Sequence, residues 1–237
     1  MAFATLTPQR KRAIKHYMTE AAIAKLLPLA DCLEELDIFI PVQDGWQSRT
    51  KLVRPKAKTT SHKPLMVHFF GGGFMAGEPE QLLNVARAFA ETHDAVVALP
   101  SYRLVPEVRW PTPCHDGWHV LVWLSEHAEE LGANLNAGFI VGGVGVGASL
   151  AAVSTPQPCN KSTTDDNVRT LVNKPSTYMD HCGLDPFKDD VTIYEKLLES
   201  KGVQTMINFV PQKICMGTGL SWIKQRTRQF GGHRWKA

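Results

Sequence analysis

Short apolar runs alternate with segments of helical periodicity through the middle of the chain. Residues 65–70, 95–100 and 137–144 form continuous apolar runs next to glycine or proline, which is typical of strands buried on both faces. Residues 80–93 and 116–131 repeat apolar positions at helical spacing. Because buried strands that alternate with helices pair in parallel, the pattern predicts an α/β fold with a mostly parallel sheet and flanking helices.

The N-terminal part has a different pattern. Thr7 and Pro8 are typical of a helix start, and apolar positions at helical spacing predict a helix that ends near Pro28. Residues 37–41 and 50–53 are predicted to be two short strands joined by a turn at Asp44 and Gly45. We therefore assign 1–34 to a helical segment that precedes an α/β domain over 35–212.

The pattern also changes after a small-residue helix at 148–153. Residues 154–174 are polar and without periodicity, which predicts a surface linker, and strand, helix and strand follow at 177–182, 189–200 and 204–210. Residues 213–237 contain six basic side chains and no acidic one, which predicts a basic C-terminal tail.

Composition narrows the class of protein. A chain of 237 residues with 43% hydrophobic and 21% charged residues suits one soluble domain, and no apolar run reaches the roughly 18 residues that span a bilayer. We see no signal peptide, and the five scattered cysteines form no C-x-x-C pair, so we expect a cytoplasmic protein without a disulfide framework, metal or cofactor. The basic tail is better explained as a solvated terminus than as a nucleic-acid site, and no nucleic-acid partner is expected.

Three motifs follow predicted strands. They are H-F-F-G-G-G-F at 68–74, S-Y-R-L-V-P-E at 101–107 and G-L-D-P-F-K-D-D at 183–190. Together they resemble the hormone-sensitive-lipase-like branch of the α/β hydrolases, the fold-3 group, whose signatures are H-G-G-G-F, D-Y-R-L-A-P-E and D-P-x-x-D. The resemblance covers roughly residues 35–210, and the motif style is similar to that of fungal members.

The resemblance implies roles for several residues. The glycine turn would supply backbone N–H groups to an oxyanion hole, and it comprises Gly71, Gly72 and Gly73. Asp185 matches the acid of the catalytic triad. Arg103 and Glu107 are expected to form stabilising polar contacts. Phe70 stands where the family has a histidine.

The pattern departs from the family at the nucleophile elbow. The glycine frame of G-x-S-x-G is present as Gly143 and Gly147, but Gly145 stands where the family has its serine. Cys215 stands where the family has the catalytic histidine, and no histidine occurs between His181 and His233. Ser149, one turn into the following helix, is a poor replacement nucleophile.

The stretch between Gly145 and Asp185 is also much shorter than in the family. We expect part of the sheet and of the substrate-covering cap to be missing, which would leave a gap or an exposed edge. The chain is therefore identified as a trimmed and degenerate member of the branch.

Three functions follow from this interpretation. The family implies a carboxylic-ester hydrolase, but the absence of serine and histidine favours a protein without triad hydrolysis, which could act in a fungal secondary-metabolite or toxin pathway. The alternatives are a pseudo-hydrolase that binds a small apolar or ester ligand or supports a partner enzyme, and a non-functional truncated paralogue. The residues alone leave the choice between enzyme and pseudoenzyme open, and they do not predict an oligomeric state.

Overall fold

The fold is built around one eight-stranded sheet. A computed structural model describes residues 6–57, 63–153, 177–182, 188–210 and 221–225. The described strands are β1 (Leu33–Pro41), β2 (Gln47–Pro55), β3 (Leu65–Phe69), β4 (Val96–Pro100), β5 (Phe139–Gly143), β6 (Thr177–Cys182), β7 (Thr205–Val210) and β8 (Ser221–Gln225). They lie in the order β1-β2-β4-β3-β5-β8-β6-β7, and β2 and β8 run against the other six. The predicted α/β architecture, with a mixed, mostly parallel sheet and flanking helices, is confirmed.

The first helix, α1 (Pro8–Ile23), begins where the sequence predicts it. Thr7 is the N-cap, and its Oγ1 accepts a hydrogen bond from the Arg10 backbone N–H. The helix ends at Ile23, before the predicted Pro28. The predicted helix is confirmed, and its apolar residues Tyr17 and Met18 are 74% and 56% exposed. Periodicity identifies a helix face, but only a neighbouring element can cover it.

The two strands predicted before the central sheet are confirmed, and both are longer than expected. β1 (Leu33–Pro41) and β2 (Gln47–Pro55) pair antiparallel along their whole lengths. A short 3-10 turn, Gln43–Gly45, joins them, and Asp44 in it has a positive φ of 68°. Asp and Gly are the residues that tolerate this conformation best, which is why the turn forms here.

The central strands are buried at every position except Ile140, which is partly buried. They are β3 (Leu65–Phe69), β4 (Val96–Pro100) and β5 (Phe139–Gly143), with β3 parallel to both of the others. The helices that connect and cover them are α2 (Leu83–His93), which follows a 3-10 turn at Pro79–Leu82, α3 (Thr112–Glu126) and α4 (Val146–Val153). The continuous apolar runs in the sequence therefore correspond to strands that are buried on both faces, as predicted.

The C-terminal elements are β6 (Thr177–Cys182), α5 (Lys188–Ser200), β7 (Thr205–Val210) and β8 (Ser221–Gln225). The first three were predicted, and β8 was not, since it lies in the segment interpreted as a basic tail. β8 pairs antiparallel with β5 on one side and with β6 on the other. Among the described strands the sheet has no gap between β5 and β6, where a gap or an exposed edge was expected, because a strand from later in the chain supplies the backbone partners.

The main hydrophobic core surrounds the central strands. Its fully buried side chains include Leu65, Phe69, Leu99, Leu121 and Leu150, and burial of each contributes about 1.5–3 kcal/mol. A second, smaller cluster lies between α5 and the β6–β7 pair. No helix within the described ranges is long and apolar enough to cross a membrane.

A charged cluster holds α3 against the strand-to-loop junction after β4. Asp116, with a side chain 1% exposed, accepts hydrogen bonds from the Arg103 backbone N–H and from its Nε and Nη2 at 2.7–3.0 Å. Arg103 also donates from Nη1 to Asp44 at 2.8 Å. These carboxylates raise the pKa of the Arg103 guanidinium, which stays charged. The expectation that Arg103 forms stabilising polar contacts is confirmed.

Replacing the buried carboxylate tests this cluster. Asp116→Asn leaves Arg103 without its main charge partner, and we expect the free energy of unfolding to fall by about 3 kcal/mol. The control is Glu34→Gln, since Glu34 pairs with Arg54 at 2.7 Å and both side chains are partly exposed. It should change stability by less than about 1 kcal/mol. Urea unfolding followed by tryptophan fluorescence measures both; equal losses would contradict the assignment.

Candidate functional site

The turn between β5 and α4 has the backbone of a nucleophile elbow. Gly145 lies between the last residue of β5, Gly143, and the first turn of α4, and it is exposed. Its φ of 55° is in the left-handed region. The turn lies at the carboxyl end of β5, which is where open α/β sheets bind their ligands.

Packing explains the flanking glycines but not the central one. A Cβ at Gly143 would lie 2.1 Å from the Gly147 carbonyl carbon, and a Cβ at Gly147 would lie 2.3 Å from the Phe69 carbonyl oxygen. Both positions therefore require glycine. A Cβ at Gly145 would meet no atom within 4 Å. The site has room for a side chain at Gly145, so the lack of a serine there is not imposed by the fold.

The glycine turn after β3 packs against this elbow. Phe69 and Gly143 are register partners on β3 and β5, so the two turns leave the sheet side by side. A Cβ at Gly71 would lie 2.5 Å from the Val144 carbonyl oxygen. A Cβ at Gly72, whose φ is 142°, would lie 1.8 Å from the Ala76 carbonyl oxygen. The glycine run thus allows backbone segments to pack closely against each other, and it also lets the chain change direction.

Backbone N–H groups are available at this junction. Within the described ranges, the N–H groups of Gly72 and Gly73 donate to no backbone carbonyl. Val146 is the first residue of α4, where N–H groups lack partners inside the helix and the helix dipole is positive. Such donors can bind a carbonyl oxygen or a carboxylate. The observed backbone is therefore compatible with the oxyanion hole expected at Gly71–Gly73.

Phe70 replaces the family's histidine with a buried aromatic contact. Its side chain is 1% exposed and stacks on Tyr102 with ring centroids 4.3 Å apart. The Tyr102 hydroxyl donates to the Phe70 carbonyl oxygen at 2.7 Å, and burial raises the pKa of this hydroxyl. Tyr102 therefore fixes the point at which the chain leaves β3.

Arg12 is a positioning residue that the sequence did not reveal. Its Nε donates to the Met75 carbonyl oxygen at 2.8 Å, and its Nη2 donates to the Val105 carbonyl oxygen at 3.0 Å. The same guanidinium pairs with Glu107, whose pKa it lowers to about 2. The expected polar contact of Glu107 is confirmed. Because Arg12 is 63 or more residues from these partners, no local pattern could have predicted it.

His68 does not take the place of a catalytic base. It lies inside β3 opposite Gly142 of β5 and is 1% exposed. Burial lowers its pKa to about 4, so the imidazole is neutral at pH 7. Its position within the strand, and not in a turn, indicates a structural role.

The two remaining predicted site residues, Asp185 and Cys215, lie outside the described residues, as does the linker 154–174. The described strands before them are β6, which ends at Cys182, and β7, which ends at Val210. The roles of Asp185 and Cys215 stay predictions. In the described part of the chain, no three His, Cys, Asp or Glu residues are grouped as metal ligands would be.

Comparison with known sequences agrees with this geometry. A family profile described as alpha/beta hydrolase fold matches residues 66–173. An AB hydrolase superfamily protein of Schizosaccharomyces pombe is 26% identical over 142 residues, which are 60% of this chain and 42% of that protein. Esterase LipI of Mycobacterium tuberculosis is 33% identical over 99 residues, 42% of this chain and 31% of that enzyme. The chain thus spans less than half the length of these curated relatives.

Solved structures show the same fold. The bacterial heroin esterase superposes with a TM-score of 0.75 at 24% identity, covering 91% of this chain and 85% of that one. An esterase from Pyrobaculum calidifontis gives a TM-score of 0.73 at 22% identity, covering 89% of this chain and 85% of that one. At these identities the likeness concerns the fold.

The contact between the two glycine turns can be tested by substitution. Gly71→Ala forces a Cβ against the Val144 carbonyl oxygen, and we expect the free energy of unfolding to fall by about 3 kcal/mol. Gly145→Ala has room and only a left-handed backbone to oppose it, so it should lose about 1 kcal/mol. Chemical denaturation measures both values. A larger loss for Gly145→Ala would contradict the proposed packing.

Burial of His68 predicts a pH-dependent stability. Its pKa is about 4 when folded against about 6.5 when unfolded, so the unfolded chain binds the extra proton first as the pH falls. Stability should decrease between pH 6.5 and 4, by about 3 kcal/mol, and this contribution should not change further below pH 4. In His68→Gln this contribution should disappear. Denaturation of both proteins across this range gives the difference; parallel curves would refute the prediction.

Proposed function

Because this chain belongs to the α/β-hydrolase fold-3 family of esterase-like proteins, we propose that it binds a small carbonyl or carboxylate ligand without hydrolysing it through a serine triad. The ligand expected from the family is a small apolar or ester-derived molecule. The protein would therefore act as a pseudo-hydrolase.

The observation that carries this proposal is the exposed elbow with no side chain. Acyl transfer requires an oxygen or sulfur nucleophile at its tip, and Gly145 offers neither. The backbone around it keeps the left-handed turn and the required glycines at 143 and 147. The frame that would present a nucleophile is thus retained while the nucleophile is absent.

The backbone N–H donors next to the elbow support the proposal that the protein binds a ligand. The N–H groups of Gly72, Gly73 and Val146 border the same junction and carry partial positive charge. An oxyanion hole contributes to binding and to residual rate even when the triad is missing. A ligand with an exposed carbonyl or carboxylate oxygen fits such donors, whereas a protonated amine, which has no acceptor, does not.

The predicted triad residues agree with a lack of turnover. Cys215, in the histidine's place, lacks the imidazole nitrogen that would accept the proton of an attacking hydroxyl. Asp185 alone cannot orient a base that is absent. A role in a secondary-metabolite or toxin pathway stays a prediction from the motif style, and a non-functional paralogue is the outcome that absence of any ligand binding would favour.

Hydrolysis of p-nitrophenyl acetate and p-nitrophenyl butyrate by the full chain tests the proposal. We expect kcat about 10⁶-fold below that of a triad esterase, since serine and histidine act as one unit. Gly145→Ser alone should stay inactive, and only Gly145→Ser combined with Cys215→His should gain a burst of p-nitrophenol. Ser149→Ala is the matched control for a second hydroxyl near the elbow.

Each outcome separates the alternatives. Esterase activity of the unmodified chain that is lost in Asp185→Asn would refute the pseudo-hydrolase assignment. Activity of Gly145→Ser without the histidine would show that another base serves the elbow. Activity lost in Ser149→Ala would show that Ser149 is the nucleophile.

A further inference from the structure

Phe74 has an unusual backbone conformation beside the glycine turn. Its φ of 59° follows Gly73 at 67°, and a bulky residue rarely adopts the left-handed region. The Val105 N–H donates to the Phe74 carbonyl oxygen at 2.9 Å, and Arg12 holds the next carbonyl, that of Met75. The surroundings therefore impose the conformation of Phe74, as is common at ligand sites.

This backbone places Phe74 in a row of four aromatic rings. Phe70 stacks on Tyr102 at 4.3 Å, Tyr102 meets Phe74 at 5.9 Å, and Phe74 meets Trp110 edge-to-face at 5.3 Å. The aromatic row begins in the core with Phe70, which is 1% exposed, and ends at the surface with Trp110, which is 62% exposed. It runs along the turn that carries the proposed carbonyl-binding N–H groups.

Trp110 is the most exposed of the four indoles whose burial the structure describes, which are those of Trp46, Trp110, Trp118 and Trp123. Arg103 lies over the Trp46 ring at 5.2 Å, and His127 stacks on Trp123 at 4.1 Å. Within the described ranges, the one aromatic contact of Trp110 is the edge-to-face pair with Phe74. A T-shaped pair leaves much of a flat aromatic face open to another ring.

We propose that Trp110 and Phe74 form the recognition surface for a planar aromatic ring in the ligand, whose carbonyl or carboxylate oxygen lies on the Gly72 and Gly73 N–H groups. This inference rests on the proposed function and specifies its ligand. The residue that presents an oxygen-binding N–H, Gly73, directly precedes the residue that presents an aromatic ring, Phe74. One small molecule with both groups can therefore reach both.

The chemistry of the surface distinguishes aromatic from saturated rings. Stacked and edge-to-face aromatic pairs gain electrostatic energy beyond the apolar area they bury, whereas a saturated ring of the same size gains only from the area. The expected preference is about fivefold in dissociation constant. Benzoate and cyclohexanecarboxylate are suitable probes, because they carry the same carboxylate and differ in the ring.

Isothermal titration calorimetry on the full chain measures this preference. We expect benzoate to bind about fivefold more tightly than cyclohexanecarboxylate. Trp110→Ala and Trp110→Leu should bind the two probes equally, while Trp110→Phe should keep most of the preference. Trp118→Ala, which removes a 38% exposed indole on α3, is the matched control and should behave as the unmodified protein does. Thermal melting of each variant verifies folding, and Trp110→Leu replaces Trp110→Ala if the latter unfolds.

The outcomes separate this inference from the function on which it rests. Equal binding of both probes by the unmodified chain, or a preference that survives in folded Trp110→Leu, would overturn the aromatic surface and leave the carbonyl-binding function standing. Failure of both probes to bind at millimolar concentration would overturn both proposals.

Discussion

The site depends on the close approach of two glycine turns at the carboxyl ends of β3 and β5. Their parallel register places Phe69 beside Gly143, so the chain segments that follow must leave the sheet almost in contact. A single added Cβ at Gly71 would lie 2.5 Å from the Val144 carbonyl oxygen. Close-packed interiors do not absorb such overlaps, so the glycine turn after β3 and the elbow form one structural unit.

This constraint explains which glycines of the predicted elbow the fold requires. Glycine is required at 143 and 147 by backbone contacts that exist whether or not a reaction occurs. Gly145 is subject to no such contact, so a side chain at this position is opposed only by the left-handed backbone. The fold therefore does not require glycine at 145, and the neighbouring turn offers N–H groups to the ligand that we propose.

Continuity of the sheet follows from a more general requirement. Buried backbone N–H and C=O groups need partners, and a strand of either direction can supply them. β8 does so by running antiparallel between β5 and β6, where the short sequence after Gly145 predicts a gap. Charged clusters complete the framework: Arg103 ties the junction after β4 to α3, and Arg12 ties α1 to the segments after β3 and β4.

The sequence by itself determined where the buried strands lie along the chain, the α/β class and the presence of glycine at the predicted nucleophile position. Each of these depends on local periodicity or on the identity of one residue. The tertiary structure alone decided that Ile14, Tyr17 and Met18 of α1 are exposed and that β8 joins β5 to β6 in the sheet. It also brought Arg12 to Glu107 and Trp110 to Phe74. These features depend on contacts between distant segments, whose energies arise from packing and pairing that no local pattern of residues contains.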